Sequence, residues 1–197
     1  MTGIVLAGGR NARMGCDKST LPWESSDFLH TILNKLATVC TELIVVTNRP
    51  PLADLPDVRF VSDIIPQLGP LSGIHAGLTH ATSPFAFITA CDMPFLQPAA
   101  VSWLFSQMQD WDVIAPGDEN FTEPMFACYS KSCIPVIENL LRLDIRKTQA
   151  LFQHTRCKLI PLSELRQFDP TLQLLQNINA PADYQAALRK TGHPSVL

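Results

Sequence analysis

Residues 3–9, GIVLAGG, open the chain with a short, continuously apolar run that stops at two glycines, and residues 10–18, RNARMGCDK, then crowd cations together without an apolar period. A run that is apolar at every position, not at every second one, marks a strand covered on both faces, as in parallel sheets. Seven more such runs follow: LIVVTN (43–48), RFVSD (59–63), PFAFITAC (84–91), DVIAPG (112–117), MFACYS (125–130), KLIPL (158–162) and LLQNIN (174–179). Between them residues 29–40, 69–81, 99–109, 133–143 and 147–155 carry apolar side chains at helical spacing, and 182–190 closes the chain in the same way. Strand and helix in alternation predict an α/β fold: a three-layer α/β/α sandwich around a Rossmann-like, mostly parallel twisted sheet. One connection, from Arg49 to about Val58, is barely long enough for a parallel crossover and leaves room for a single helical turn.

The composition agrees. At 197 residues, with 46% hydrophobic and 17% charged, the chain is expected to fold as a single domain over 1–197. A formal charge of -3 leaves no general basic field for a nucleic-acid backbone, so any anion site must be local. No apolar run approaches the ~18–20 residues that cross a bilayer, and no cationic segment precedes the short apolar start, so a cytoplasmic protein without a membrane partner is expected. Six scattered cysteines without a C-x-x-C read as reduced thiols, several of them in the core. Trp23, Trp103 and Trp111 stand apart in sequence and suggest no stacking platform for single strands.

In a parallel sheet the carboxyl ends of the strands share one edge, where ligands bind. Here the first run ends in Gly8 and Gly9, the second in Asn48, the third in Asp63 and the fourth in Asp92. Singly, an Asn or Asp after a strand is an ordinary turn former or cap; it is their coincidence that points to a site. Within residues 8–20, Arg10, Arg13 and Lys18 stand against Asp17, a local +2 in a chain of net -3. Glycine amides approach a phosphate closely and the cations neutralise its oxygens, so this is chemically a phosphate-binding loop. It is not a Walker loop, because Cys16 follows Gly15 where Lys is required, and Asn48 replaces the acidic strand end of a dinucleotide fold.

LAGGRNARMGCDKSTLP (6–22) resembles the L-A-G-G-x-S-x-R-M-G-x-D-K signature of the nucleotidyltransferases related to the molybdenum cofactor guanylyltransferase, the MobA-like family. FVSDIIPQLGPLSGIHAGL (60–78), ITACDMPFL (88–96), EPMFACYS (123–130) and NINAPADY (177–184) are similar to further motifs of that family, in its order. The resemblance implies a fold of the nucleotide-diphospho-sugar transferase type and transfer of GMP from GTP to the terminal phosphate of molybdopterin, with release of pyrophosphate. It implies backbone contacts to the nucleotide from Leu6, Ala7, Gly8 and Gly9, phosphate contact from Lys18, nucleotide contacts from Asn48 and Asp63, and Mg²⁺ ligation by Asp92. Asn177 and Asn179 would face the acceptor; transient contacts with other cofactor-biosynthesis proteins or apo-molybdoenzymes fit the same activity. The chain departs from the pattern at Asn11, where Ser is usual, and at Ala180, where Thr is.

The chemistry of such a transfer agrees with these residues. A phosphate attacking a phosphate is already ionised, so positioning and charge neutralisation replace a general base. Lys18 and Arg13 suit the departing pyrophosphate, and Asp92 at a strand end suits a Mg²⁺ that takes few protein carboxylates. The carboxylate of Asp63 matches the N1 and N2 hydrogens of guanine and finds no such pair on adenine. The Gly69–Gly73 turn opens a helix and either approaches the ribose and base or is an ordinary tight turn around Pro70. As alternate residues of a strand, Asn177 and Asn179 point to one face, as substrate contacts or as strand-end asparagines. His75 and His80 lie about 140° apart on a helix and cannot share a metal. Arg142, Arg146 and Lys147 against Asp144 read as a solvated helix junction, with contact to the acceptor phosphate as the alternative. A related transferase for CTP or another phosphate acceptor, and a GTP-binding module without turnover, are the competing functions.

Overall fold

The computed structural model describes residues 1–8, 20–24, 26–50, 55–65 and 68–191. Its middle layer is a seven-stranded sheet of β1 (Thr2–Leu6), β4 (Glu42–Val46), β5 (Val58–Val61), β6 (Phe85–Ala90), β7 (Val113–Pro116), β8 (Phe126–Ser130) and β9 (Cys157–Ile160), in the order β5-β4-β1-β6-β8-β7-β9. Strands β5, β4, β1 and β6 are mutually parallel, and β7 is parallel to β9. Only β8 in this sheet is reversed, antiparallel to both β6 and β7. The sheet is therefore mostly parallel, as expected, and the reversal brings the amino end of β8 to the edge where its neighbours end.

Both faces of the sheet are covered. Val5, Val45, Phe87 and Ile114 pack under α1 (Phe28–Ala37) and α3 (Pro98–Ser106). Their neighbours Ile4, Ile44, Ile88 and Ala115 pack under α2 (Pro70–His80), α4 (Cys133–Arg142) and α5 (Thr148–Gln153). Successive side chains of a strand point to opposite faces, so two helical layers demand apolar residues at consecutive positions. Helix α1 begins where the side chain of Asp27 accepts the His30 amide at 2.8 Å. Helix α2 lies close on the sheet because Gly77 faces Ile4, leaving no room there for a larger side chain.

Two expectations are corrected. LLQNIN is not a strand: Gln173–Leu175 form a 3₁₀ turn entered through Leu172 at φ 58°, and 176–180 run without helix or strand toward α7 (Pro181–Thr191). Asp169 breaks the extended path by accepting the amides of Thr171 and Leu174 at 3.0 and 2.8 Å. The apolar residues are used in another way, Leu174 and Leu175 in the α1–α3 layer and Ile178 in a separate cluster. Trp23, in turn, is not isolated. It sits in β2 (Pro22–Trp23), paired with β3 (Ser26–Asp27), and is 1% exposed, edge-on to Phe28 and Phe95 with ring centroids 5.1 and 5.3 Å away. Tyr184 of α7 donates to Pro22 O at 2.5 Å and closes the same cluster. Trp103 likewise has a ring partner in Phe168.

Cys40, Cys128 and Cys133 are buried, as expected, and burial pushes the Cys40 thiol up to about 12. Among the described residues no helix is long and apolar enough to cross a membrane.

Candidate active site

The sheet ladders run on past the parallel strand ends. Ala7 N donates to Val46 O at 2.9 Å, Thr47 N to Val61 O at 2.9 Å and Cys91 N to Leu6 O at 3.1 Å. This holds the ends of β5, β4, β1 and β6 in one row, and a cavity of about 750 Å³ opens along it. Leu6 and Gly8 wall it from β1, Thr47 and Asn48 from β4, Asp63 from β5 and Ala90 from β6. Gly69, Pro70 and Gly73 at the start of α2 form another wall. Gly69 sits at φ +82°, a conformation that favours glycine, and Pro70 occupies the first turn where its missing amide costs nothing. The amino end of an 11-residue helix, with its partial positive charge, thus borders the cavity.

Asn48 and Asp63 form a closed pair. Asn48 Nδ2 donates to Asp63 Oδ2 at 2.7 Å, and Asp63 N donates to Asn48 Oδ1 at 3.0 Å. Both ends of the amide are committed, so Asn48 fixes the Asp63 carboxylate and leaves Oδ1 of that group outside the pair. The Leu6 carbonyl and Ala7 amide are similarly spent on the sheet.

Asp92 lies two residues beyond the cavity-lining Ala90, in the turn after β6, and its carbonyl accepts Ile178 N at 2.9 Å. Glu123 stands near it, 8% exposed, in the segment leading into β8. Its Oε1 accepts Met125 N at 2.9 Å and its Oε2 accepts Asn177 Nδ2 at 3.3 Å. Burial holds the Glu123 carboxyl above the usual carboxylate range, and the negative charge of Asp92 pushes it the same way. Asn179 is further out, its amide on Asp183 Oδ2 at 3.1 Å beside the Ala180 amide at 2.8 Å. Asp183 thereby supplies half of a capping box for α7; the hydroxyl of the usual Thr would supply the other half, which Ala180 lacks.

The structure thus brings Leu6, Gly8, Asn48 and Asp63 to one cavity, with Ala7 between the first two. It sets Asp92 just past that cavity, with Asn177 bonded to Glu123 and the neighbouring Ile178 bonded to the Asp92 turn. Gly9, Arg13 and Lys18 lie outside the described residues. His75 and His80 are spent separately, Nε2 of His75 within 3.2 Å of Glu138 Oε1 and Nδ1 of His80 on Ala76 O, in keeping with their helical spacing.

Further residues border the site that the strand-end pattern does not mark. Met125 and Glu123 reach it because β8 is reversed, which no local pattern signals. Arg146 lines the cavity; its segment reads in the sequence as a solvated junction, with contact to the acceptor phosphate as the alternative. Helix α4 ends in a Schellman turn, with Ile145 N on Leu140 O and Asp144 N on Leu141 O, and Asp144 at φ 58° turns the chain inward. That position usually carries glycine, so Asp144 concealed the turn. Its carboxylate then holds the Arg146 guanidinium at 2.7 Å.

Comparison with known proteins matches this arrangement. A protein of Methanosarcina mazei described as a "probable molybdenum cofactor guanylyltransferase" is 36% identical, over 92% of this chain and 87% of its own. A protein of Peptoclostridium acidaminophilum with the same description is 35% identical, over 89% of this chain and 83% of its own. The crystal structure of molybdopterin-guanine dinucleotide biosynthesis protein A from Archaeoglobus fulgidus superposes with a TM-score of 0.86 at 26% identity, covering 98% of this chain and 99% of that one. Residues 3–158, from the first strand to β9, match the MobA-like NTP transferase domain, and with its nucleotide-sized cavity at the ends of these strands the chain belongs to the MobA-like NTP transferase family.

Proposed function

We propose that the chain, as one domain over 1–197, acts in the cytoplasm as a molybdenum cofactor guanylyltransferase, moving GMP from GTP to the terminal phosphate of molybdopterin. A phosphate oxygen of the acceptor forms a bond to the α-phosphorus of GTP, the α–β bridging bond breaks, and pyrophosphate leaves with that bond's electron pair. The observation that carries the reading is the single cavity in which β1, the Asn48–Asp63 pair and the start of α2 converge, with Asp92 at its margin.

Asp63, held by Asn48, takes the N1 and N2 hydrogens of guanine. With the Leu6 carbonyl and Ala7 amide bound in the sheet, nucleotide contact from this strand falls to the Ala7 carbonyl and the amides of Gly8 and Gly9. Lys18 and Arg13 neutralise charge on the departing pyrophosphate. A divalent cation, Mg²⁺, fits the donor set: Asp92 is a hard oxygen ligand with Oδ1 turned inward, and Glu123 adds negative potential beside it. When bound, the ion supplies positive charge against the phosphate oxygens. Asn177 and Asn179 serve the acceptor side, and transient contacts with other proteins of cofactor assembly complete the role.

The test is incubation of the protein with Mg²⁺, molybdopterin and each of the four ribonucleoside triphosphates, with products weighed by mass spectrometry. Guanine dinucleotide alone is expected. A cytosine product would move the chain to a CTP-dependent relative, and GTP binding without pyrophosphate release would make it a regulatory module.

A further inference from the structure

Glu123 is a carboxylate buried in a corner that an apolar or neutral side chain would fill at less cost, and it stands near a second carboxylate of the same sign. It is nonetheless firmly held, by the Met125 amide on one oxygen and the Asn177 amide group on the other. Met125 lines the cavity. The residue after Asn177 donates its backbone N–H to the carbonyl of Asp92. The Glu123 side chain therefore ties the entry to β8 to the chain before α7, and the Ile178 backbone ties that chain to the turn after β6.

We infer that Glu123 is a positioning residue, which fixes the Asn177 amide and, through the neighbouring Ile178, the turn that carries Asp92, so that the acceptor side and the metal side of the cleft are set by two adjoining contacts. The inference takes its acceptor from the function proposed above. Because a carboxylate only accepts, the Asn177 amide must present its N–H₂ to Glu123, and Oδ1 is left facing elsewhere, as an acceptor for a donor group of the substrate.

The test exchanges donor and acceptor. In Glu123→Gln the amide oxygen keeps the Met125 N–H, but its nitrogen meets the Asn177 nitrogen, donor to donor, and the pair must turn or part. In Glu123→Gln/Asn177→Asp the contact returns with its polarity reversed, and an oxygen remains where Asn177 carried one. Two readouts are taken on the full chain. In the transfer assay, Glu123→Gln lowers kcat/KM for molybdopterin about tenfold or more while GTP, bound without acceptor or divalent cation, is held no more weakly than by the wild type, and the double variant regains most of the loss. In hydrogen exchange without substrate, Glu123→Gln speeds exchange at 91–93 and at 177–179 by about tenfold, and the double variant slows it again.

Unchanged exchange in Glu123→Gln, a double variant no better than the single one, or an equal loss of GTP affinity overturns the inference. Should Glu123→Gln not fold, Asn177→Asp alone sets two carboxylates face to face and must speed exchange at the same two segments; if it does not, the inference fails. A wild-type protein that makes no guanine dinucleotide refutes the proposed function, and exchange still decides the role of Glu123.

Discussion

Replacing Gly77 by Ala tests how closely α2 must lie on the sheet. A Cβ at Gly77 would sit 2.7 Å from Ile4 Cγ2 and 2.9 Å from Ile4 Cδ1, against a comfortable carbon–carbon separation of about 3.5–4.0 Å. Ile4 cannot yield cheaply. It is fully buried, β-branched, and carried by a strand bonded on both sides. Overpacking of this kind costs about 1–3 kcal/mol, and the gain from Ala over Gly in a helix returns about 1 kcal/mol. With a 2.7 Å contact against a side chain that cannot yield, the upper part of that range applies, about 2–3 kcal/mol, so the net expected loss is about 1–2 kcal/mol, a fall in Tm of about 3–6 °C for a chain of this size. Gly73→Ala is the control on the same helix: its Cβ would stand 3.2 Å from Leu6 Cδ2, and Leu6 borders the cavity and has space to turn into. Its stability should be unchanged or slightly raised, with weakened nucleotide binding as the price of a narrower cavity. Urea unfolding followed by tryptophan fluorescence gives both values. A Gly77→Ala protein as stable as wild type, or a Gly73→Ala protein less stable than Gly77→Ala, would refute this account of the helix–sheet contact.

Asp63→Asn should reduce the preference for GTP over ATP by about 10- to 100-fold, the loss of a charge-assisted pair of hydrogen bonds; an unchanged ratio in competition assays would remove Asp63 from base selection. Ala180→Thr completes the capping box with Asp183 and should raise stability by about 1 kcal/mol, read as a higher Tm. Asp112 is held down to about 2 by hydrogen bonds from Arg156 and Ser132. A lowered carboxyl stabilises the fold fully above its ordinary value of 3.8 and loses that effect as pH falls toward 2. Asp112→Asn should therefore cost about 1 kcal/mol at neutral pH and progressively less below pH 3.8, checked by denaturation across that window. Chelation of divalent ions should weaken GTP binding by about tenfold or more in calorimetry, since Asp63, Asp92 and Glu123 all oppose a polyphosphate.

The parallel half of the sheet was legible because two buried faces leave a continuous apolar run, and a run of that kind has few other uses. The residues at its strand ends were legible for the same reason: once β1, β4, β5 and β6 are parallel, Gly8, Asn48, Asp63 and Asp92 must fall near one edge. LLQNIN shows where composition fails. Leu174, Leu175 and Ile178 supply the burial of a strand, and only the side chain of Asp169, bonded to amides two and five residues on, decides against it. The turn that brings Arg146 to the cavity was hidden by one left-handed residue that is not glycine, and Glu123 by strand direction, which depends on partners far away in sequence.

The same strand reversal explains how the acidic side of the site is assembled. A fully parallel sheet would deliver to this edge only residues that follow strands, each at the tip of its own loop. With β8 turned, the residues that precede it arrive at the edge as well, already anchored, because Glu123 N donates to Pro116 O and Gly117 pairs with Thr122 across the connecting turn. Asp92 is thus backed by a segment braced on two strands and not by another free loop tip. Bracing matters here because the proposed reaction gains its rate from fixed charges and distances, with no proton transfer for a flexible group to catalyse. The cost is a pair of like charges in a partly dry corner, which a divalent cation between enzyme and phosphate would relieve, and a chain of net -3 keeps its compensating Arg10, Arg13 and Lys18 in the stretch that follows cavity-lining Gly8.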